Sequence, residues 1–214
     1  MAGALIIGAG PGIGQAVAQR FAREGLPIAL IARTKDKVTE VADHIGSLGV
    51  RAVPLTADAA DESDLRAALD TAIGELGEPE MVVYNVAAVR PDTVGELTHR
   101  DHLDTYAVNV LGALTAAAHL LPGMARRRGG TFVVTGGMPE MKPEYVSLSL
   151  GKAGVRALVE LLDAEYAPMG VHVATVTVGG VVERGTAYGP GDIAEHYWRL
   201  YTQPREKWER EVHH

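Results

Sequence analysis

Short apolar runs alternate with longer stretches of helical periodicity along this chain of 214 residues. Residues 4–7, 28–32, 52–55, 81–84, 131–135 and 171–177 are rich in Val and Ile and lack a strict in/out alternation. Strands covered on both faces have that character. Between them, apolar residues recur with helical spacing over residues 13–24, 35–48, 62–76, 101–124 and 148–166. Residues 192–201 read as a last helix and 208–212 as an added edge strand. Strand–helix alternation of this kind predicts an α/β fold: a doubly wound parallel sheet of six to seven strands between two helical layers, with right-handed crossovers. No repeat or linker divides the chain, so residues 1–214 are expected to form one domain. Residues 179–191 carry Gly and Pro and read as a loop beyond a strand's C-terminal end, where ligands sit in open α/β sheets.

Composition narrows the classes. Hydrophobic residues make up 47% and charged residues 22%, ordinary for a globule with a real core. A net charge of -7 disfavours nucleic acid as a partner. There are no cysteines, which excludes disulfides and thiol chemistry. Met1-Ala2-Gly3-Ala4-Leu5-Ile6-Ile7 has no basic leader and meets glycines too soon for a signal peptide. No uninterrupted apolar run reaches bilayer length. A cytoplasmic protein without membrane partners is therefore expected. No metal-ligand cluster stands out. His213-His214, native or the remnant of a purification tag, carry no functional weight in this reading.

Gly8-Ala9-Gly10-Pro11-Gly12-Ile13-Gly14 follows the first strand and opens the first helix. Glycines there permit a tight turn and a close backbone approach to a pyrophosphate, which the helix N-terminus then attracts. The spacing Gly8-x-x-x-Gly12-Ile13-Gly14 resembles that of the short-chain dehydrogenase/reductase family, and the resemblance extends over residues 3–182. It implies a Rossmann fold, a nicotinamide dinucleotide and an oxidoreductase acting on a carbonyl or alcohol. The family's threonine before the first glycine is Ile7 here, and its small polar loop residues are Gly10 and Pro11.

The second strand ends Ile31-Ala32-Arg33-Thr34. A carboxylate at that point would hold a ribose 2′-OH, whereas a guanidinium suits a 2′-phosphate. Arg33 thus favours NADP over NAD, the alternative being a solvated arginine beside the surface charges Lys35 and Lys37. Asp58, followed by Ala59, is either the adenine contact that the resemblance implies or a helix cap. Asn85-Val86-Ala87-Ala88 stands where the family has Asn-Asn-Ala-Gly; Asn85 reads as a sheet brace and Ala87 as lining for the cofactor ribose.

The chemical end departs from the family pattern. Asn109 matches the family's mid-helix asparagine, with a core or interface role as the alternative. Lys152 matches the lysine that holds the cofactor ribose, with snorkelling to solvent as the alternative. The tyrosine expected four residues before that lysine is Leu148, which carries no proton. The family's serine falls at Gly136-Gly137 by strand position or at Thr135 by counting back from Lys152. The family's Pro-Gly after the sixth strand is Gly179-Gly180, leaving Val181 and Val182 to offer backbone contacts to a carboxamide. Tyr145 is the nearest phenol, seven residues before Lys152, or two helical turns; it is either the replacement proton carrier or a side chain packed over the loop, and the Thr135 hydroxyl is the candidate to polarise a carbonyl. Arg184 in the substrate-covering segment, residues 183–191, faces either an acidic substrate or solvent. Two functions fit: an NADP(H)-dependent oxidoreductase with a remodelled acid–base group, or a dinucleotide-binding protein without catalysis. The resemblance also implies a homodimer or homotetramer joined through the two long helices, whose small faces are Ala113, Ala116, Ala117 and Ala153, Ala157.

Overall fold

A computed structural model describes residues 3–214; Met1 and Ala2, the start of the leader reading, lie outside the described residues. Seven strands form one sheet: β1 (Ala4–Ile7), β2 (Ile28–Ala32), β3 (Ala52–Thr56), β4 (Met81–Tyr84), β5 (Thr131–Thr135), β6 (His172–Thr177) and β7 (Glu211–His213). They run in the order β3-β2-β1-β4-β5-β6-β7. Every pairing is parallel, β7 included, with Ala4 opposite both Ile28 and Met81. The expected Rossmann architecture is thus present with the upper number of strands. The strand order reverses between β1 and β4, which opens a crevice at their C-terminal ends.

The apolar runs form strands because each buries both faces. Leu5 and Ile7 join one core cluster with helices α3 (Glu62–Leu76), α5 (Gly112–Arg127) and α6 (Val146–Tyr166). Ala4 and Ile6 join the other, with α1 (Ile13–Ala22), α2 (Lys35–Gly46) and α7 (Pro190–Thr202). Pro54, which cannot donate to a ladder, sits in β3 at the sheet edge. Asp61 caps α3 by accepting from Asp64 N, and Thr98 with Asp101 forms a capping box on α4 (His99–Tyr106).

The helix expected over residues 101–124 is divided. Between α4 and α5 lies a π-helical segment, Ala107–Leu111, closed by an i→i+5 bond from Gly112 N to Ala107 O. The Val108 carbonyl in that segment accepts the Tyr84 hydroxyl at 2.6 Å. Gly112 is glycine because a Cβ there would lie 2.1 Å from that same hydroxyl. The continuous run His99–Arg127 has the length and hydropathy of a membrane span, but 56% of its most apolar window is buried inside the fold. Ala113, Ala116 and Ala117 are wholly buried in the core, so the small face of α5 packs inside this chain, whereas Ala157 on α6 is exposed and Ala153 half-buried.

Candidate active site

The dinucleotide end is built at the β1–β4 crevice. A cavity of about 290 Å³ is lined by Ile7, Gly8, Gly10, Ile31, Ala32, Arg33, Ala57, Ala59, Asn85, Val86 and Ala87. Gly8 has φ +92°, and a Cβ on it would lie 2.7 Å from the Asn85 carbonyl carbon. A Cβ on Gly14 would lie 2.2 Å from the Gly8 carbonyl oxygen, so α1 approaches β1 this closely only through glycine. At Gly10 and Gly12, by contrast, a Cβ would meet nothing within 4 Å. Those two face open space, as a backbone that must admit a bulky anion does. The first turn of α1, including Ile13, carries no acidic side chain and no side-chain cap. Its amide dipoles are left for an external anion. These features fit a dinucleotide pyrophosphate.

Around this loop the other candidates take distinct places. Arg33 and Thr34 are exposed just beyond β2, with Arg33 on the cavity wall and Thr34 as the N-cap residue of α2. Asp58 is exposed, and its Oδ1 accepts from Ala60 N at 3.0 Å while its own amide donates to Asp64 at 2.7 Å. Its carboxylate therefore shapes the turn before α3, and the helix cap itself is Asp61. Ala59 is buried under the cavity and Ala87 is exposed on its rim. Pro11 is exposed at the loop tip.

Asn85 links the two ends. Its Nδ2 donates to Gly8 O at 3.0 Å, and its Oδ1 accepts from Thr135 Oγ1 at 2.9 Å. Thr135 Oγ1, having donated its proton there, accepts from the buried Tyr197 hydroxyl at 2.7 Å. Burial pushes the Tyr197 phenol above its ordinary range, which keeps it a donor. The Thr135 hydroxyl thereby braces β1, β4 and α7. At Gly137, by contrast, a Cβ would lie 3.5 Å from Lys152 Cε, an ordinary van der Waals distance. Gly136 has no such freedom, since its Cβ would lie 2.6 Å from Thr177 Oγ1 and 2.7 Å from Thr175 Oγ1.

Lys152 does not snorkel. It is buried, and its Nζ donates to the Thr135 carbonyl at 2.7 Å. Desolvation, with Arg156 nearby as a second cation, lowers its pKa to about 8. Arg156 donates to the Gly137 and Met138 carbonyls at 3.0 and 3.2 Å, so two cations from α6 hold the turn after β5. Met138 in that turn has φ +47°. Asn109 is buried in the π-helical segment; its Oδ1 accepts from Ala88 N at 2.8 Å. Its Nδ2 has no hydrogen-bond partner among the described residues. Leu148 is buried, 4% exposed, yet belongs to neither core cluster. It stands one turn before Lys152 on α6.

Tyr145 is the N-cap of α6 and half-buried, one turn before Leu148. Its placement depends on a residue that sequence reasoning missed. Asp92, 2% exposed, accepts from Ser147 N at 3.0 Å and from Ser147 Oγ at 2.7 Å. The backbones join as well, Asp92 N to Glu144 O and Val146 N to Asp92 O. The loop after β4 is thus stitched to the start of α6. A lone Asp in a loop gave no signal of this, because its partners lie 55 residues away.

The loop after β6 has its own brace. Gly179 N donates to His214 O at 2.9 Å, and His214 Nε2 donates to Ala187 O at 2.8 Å. His214 Nδ1 lies 2.9 Å from His196 Nε2. The two terminal histidines, set aside in the sequence, therefore belong to β7 and to this loop's support. Val181 is 83% exposed on the same loop, and Arg184 is exposed beside it. Trp208 stacks on His172 at 4.7 Å and Trp198 packs on Phe21 at 5.2 Å, both away from the cavity.

Comparison with known proteins agrees with this geometry. Residues 2–187 match the family model described as short chain dehydrogenase. Oxidoreductase UcpA of Salmonella typhimurium is 31% identical, covering 83% of this chain and 68% of that protein. Glucose 1-dehydrogenase of Gluconobacter oxydans is 30% identical over the same shares. A short-chain dehydrogenase from Rhodopseudomonas palustris superposes with a TM-score of 0.90 at 25% identity, covering 100% of this chain and 97% of that one. An alcohol dehydrogenase from Thermococcus sibiricus, solved with 5-hydroxy-NADP, gives 0.89 at 25% identity, covering 100% and 96%. A glycine turn opening α1 on a parallel sheet reversed at β1–β4, together with these likenesses, leads to one assignment: the chain belongs to the short-chain dehydrogenase family of oxidoreductases.

Proposed function

We propose that the chain binds NADP(H) and acts as an oxidoreductase on a carbonyl or alcohol without the family's usual tyrosine. The observation that carries the binding is the open glycine ledge at Gly10 and Gly12 between the crowded Gly8 and Gly14. The Gly8–Gly14 turn and the start of α1 would hold the pyrophosphate, and Arg33 with Thr34 the 2′-phosphate. Asp58 and Ala59 would border the adenine, Asn85 and Ala87 a ribose, Lys152 the nicotinamide ribose, and Val181 the carboxamide. When bound, the dinucleotide supplies or accepts a hydride at its nicotinamide. The 5-hydroxy-NADP complex of the Thermococcus sibiricus enzyme supports the choice of NADP, as does the cationic rim at Arg33.

Calorimetric titration tests this reading. NADPH should bind more tightly than NADH, and Arg33→Asp should weaken NADPH at least about tenfold while sparing NADH, since an unpaired guanidinium–phosphate contact is worth about 1.5–3 kcal/mol. No binding of either dinucleotide sinks the reading.

A second reading is favoured by the burial of Leu148 and the Lys152–Thr135 carbonyl bond: a dinucleotide-binding sensor or assembly partner without turnover. It predicts that wild type binds NADPH yet reduces no aldehyde or ketone, and that Gly137→Ser with Leu148→Tyr gains turnover at unchanged affinity. Measurable wild-type turnover rejects it.

A further inference from the structure

We propose that Asp92, on the loop after β4, is a positioning residue that sets Lys152 for the nicotinamide ribose of the dinucleotide. The inference deepens the NADP(H) reading above and rests on it. α6 carries Lys152, yet its own sequence secures its start poorly. Tyr145, the N-cap, supplies no side-chain cap, and the first turn holds no acidic residue. A helix start leaves its first amides without partners inside the helix. Here a residue from another element takes two of them. The Asp92 carbonyl accepts from Val146 N at 3.0 Å, and its carboxylate accepts from Ser147 N at 3.0 and 3.2 Å. The Ser147 hydroxyl donates to the same carboxylate at 2.7 Å.

Asp92 is 2% exposed, and its carboxylate faces the N-terminus of α6. Amide donors and the positive end of the helix dipole hold a buried charge there. That charge therefore fixes where α6 begins. Ser147 lies five residues before Lys152, less than two turns. Ser149 is tied to the loop after β5 more loosely, by Lys142 N at 3.2 Å. The loop after β4 is also tied at Ala88, whose amide donates to Asn109 Oδ1 at 2.8 Å. Asn109 in turn abuts α6 at Gly151, where a Cβ would lie 2.8 Å from Asn109 Nδ2. Lys152 is the next residue. The stretch from Ala88 to Asp92 thus spans from the π-helical segment to the start of α6, and it sets Asn109 and Lys152 in register with each other.

Lys152 has little freedom to compensate for a shift of its helix. Its side chain is buried, and its Nζ is fixed on the Thr135 carbonyl at 2.7 Å. Thr135 leads to the crevice, since its hydroxyl bonds the cavity-lining Asn85 at 2.9 Å. Fraying of the first turn of α6 would carry Lys152 away from that anchor and from a ribose held beside it. Asp92 touches neither dinucleotide nor substrate in this role; it acts through α6 and Lys152.

Calorimetric titration tests this without requiring turnover. Asp92→Ala should weaken NADPH about tenfold, the size of one hydrogen bond to a charged group. Adenosine 2′,5′-bisphosphate, which ends before the second ribose, should bind within about twofold of wild type. Asp92→Asn keeps a cap acceptor and should bind NADPH within about threefold of wild type. In a Lys152→Met background, Asp92→Ala should change NADPH binding by less than about twofold, because the residue it acts through is gone. If Asp92→Ala does not fold, Ser147→Ala removes one donor from the clasp and should show the same pattern with a loss of about three- to fivefold. Unchanged NADPH binding in Asp92→Ala, an equal loss for adenosine 2′,5′-bisphosphate, or the full loss persisting in the Lys152→Met background overturns the proposal while leaving the dinucleotide reading intact. Wild type that binds no NADPH overturns the dinucleotide reading itself.

Discussion

At the residue scale the site depends on what each polar group must face once buried. Lys152 is the sharpest case, because its ammonium is enclosed with a carbonyl and a neighbouring cation rather than a carboxylate. Its folded pKa of about 8 lies below the ordinary lysine value of 10.5. Between those two values the unfolded chain binds the proton more tightly than the folded one, so stability rises as pH rises through that window. Below pH 8 both states are protonated and the full penalty, on the order of 3 kcal/mol, is present. Urea unfolding at pH 8 and 9.5 should show wild type gaining stability with pH relative to Lys152→Met, in which this slope disappears. Equal slopes in the two proteins would mean that the amine is solvated. The lysine was legible from its spacing to Leu148, but its partner was not: a backbone carbonyl at Thr135 leaves no trace in residue types. The same blindness hid the partner of the Thr135 hydroxyl, since its acceptor Asn85 is 50 residues distant.

At the element scale, the strands and most helices were legible because burial on both faces of a parallel sheet writes continuous Val/Ile runs, and apolar residues at helical spacing mark the helices that cover them. The π-helical segment was not, since one extra residue in a turn does not disturb an apolar pattern. It is stabilised by contacts across elements: Tyr84 from β4 takes the Val108 carbonyl, Asn109 takes the Ala88 amide, and Gly151 of α6 makes room. A Cβ on Gly151 would lie 2.8 Å from Asn109 Nδ2 and 2.9 Å from its Cβ. Gly151→Ala should therefore destabilise by about 1–3 kcal/mol, the range for overpacking, and hydrogen exchange at Ala88 should quicken as its acceptor is pushed aside. Combining it with Asn109→Ala should cost less than the sum of the two single changes, because the clash and the bond share one side chain. Additive losses in denaturant titrations would show that the two positions act independently. The clasp of Asp92 on Ser147 has the same character, joining a loop and a helix start that sequence distance keeps apart.

For the whole molecule, the two halves of the sheet's C-terminal edge have diverged to different extents. The β1–β2 side keeps the glycine turn and a cationic rim, whereas the β5–β6 side carries Gly137, Leu148 and the Gly179-Gly180 ledge together. That grouping was legible as motif changes, while the ring of Tyr188 that fills the ledge was not, because only the fold brings residue 188 back over residue 180. Self-association is expected through exposed apolar residues of the long helices, beside the exposed Ala157 of α6. Leu103, Leu111, Leu114, Leu150 and Leu161 on α4, the π-helical segment, α5 and α6 are each at least 43% exposed, and exposed apolar patches mark association surfaces. Light scattering should give a multiple of 22.6 kDa that Leu114→Lys with Leu161→Lys reduces; a wild-type monomer refutes this. Dinucleotide binding acts on the molecule as a whole through linkage. A ligand at 100 times its Kd adds about 2.7 kcal/mol to the folded state, and for a chain of 214 residues each kcal/mol raises Tm by about 2–4 °C. Saturating NADPH should thus raise Tm by about 5–10 °C. Gly14→Ala, whose Cβ would lie 2.2 Å from Gly8 O, should lose that increment as well as basal stability. A Tm that NADPH leaves unmoved in wild type would remove the common footing of both functional readings, however well the fold itself holds.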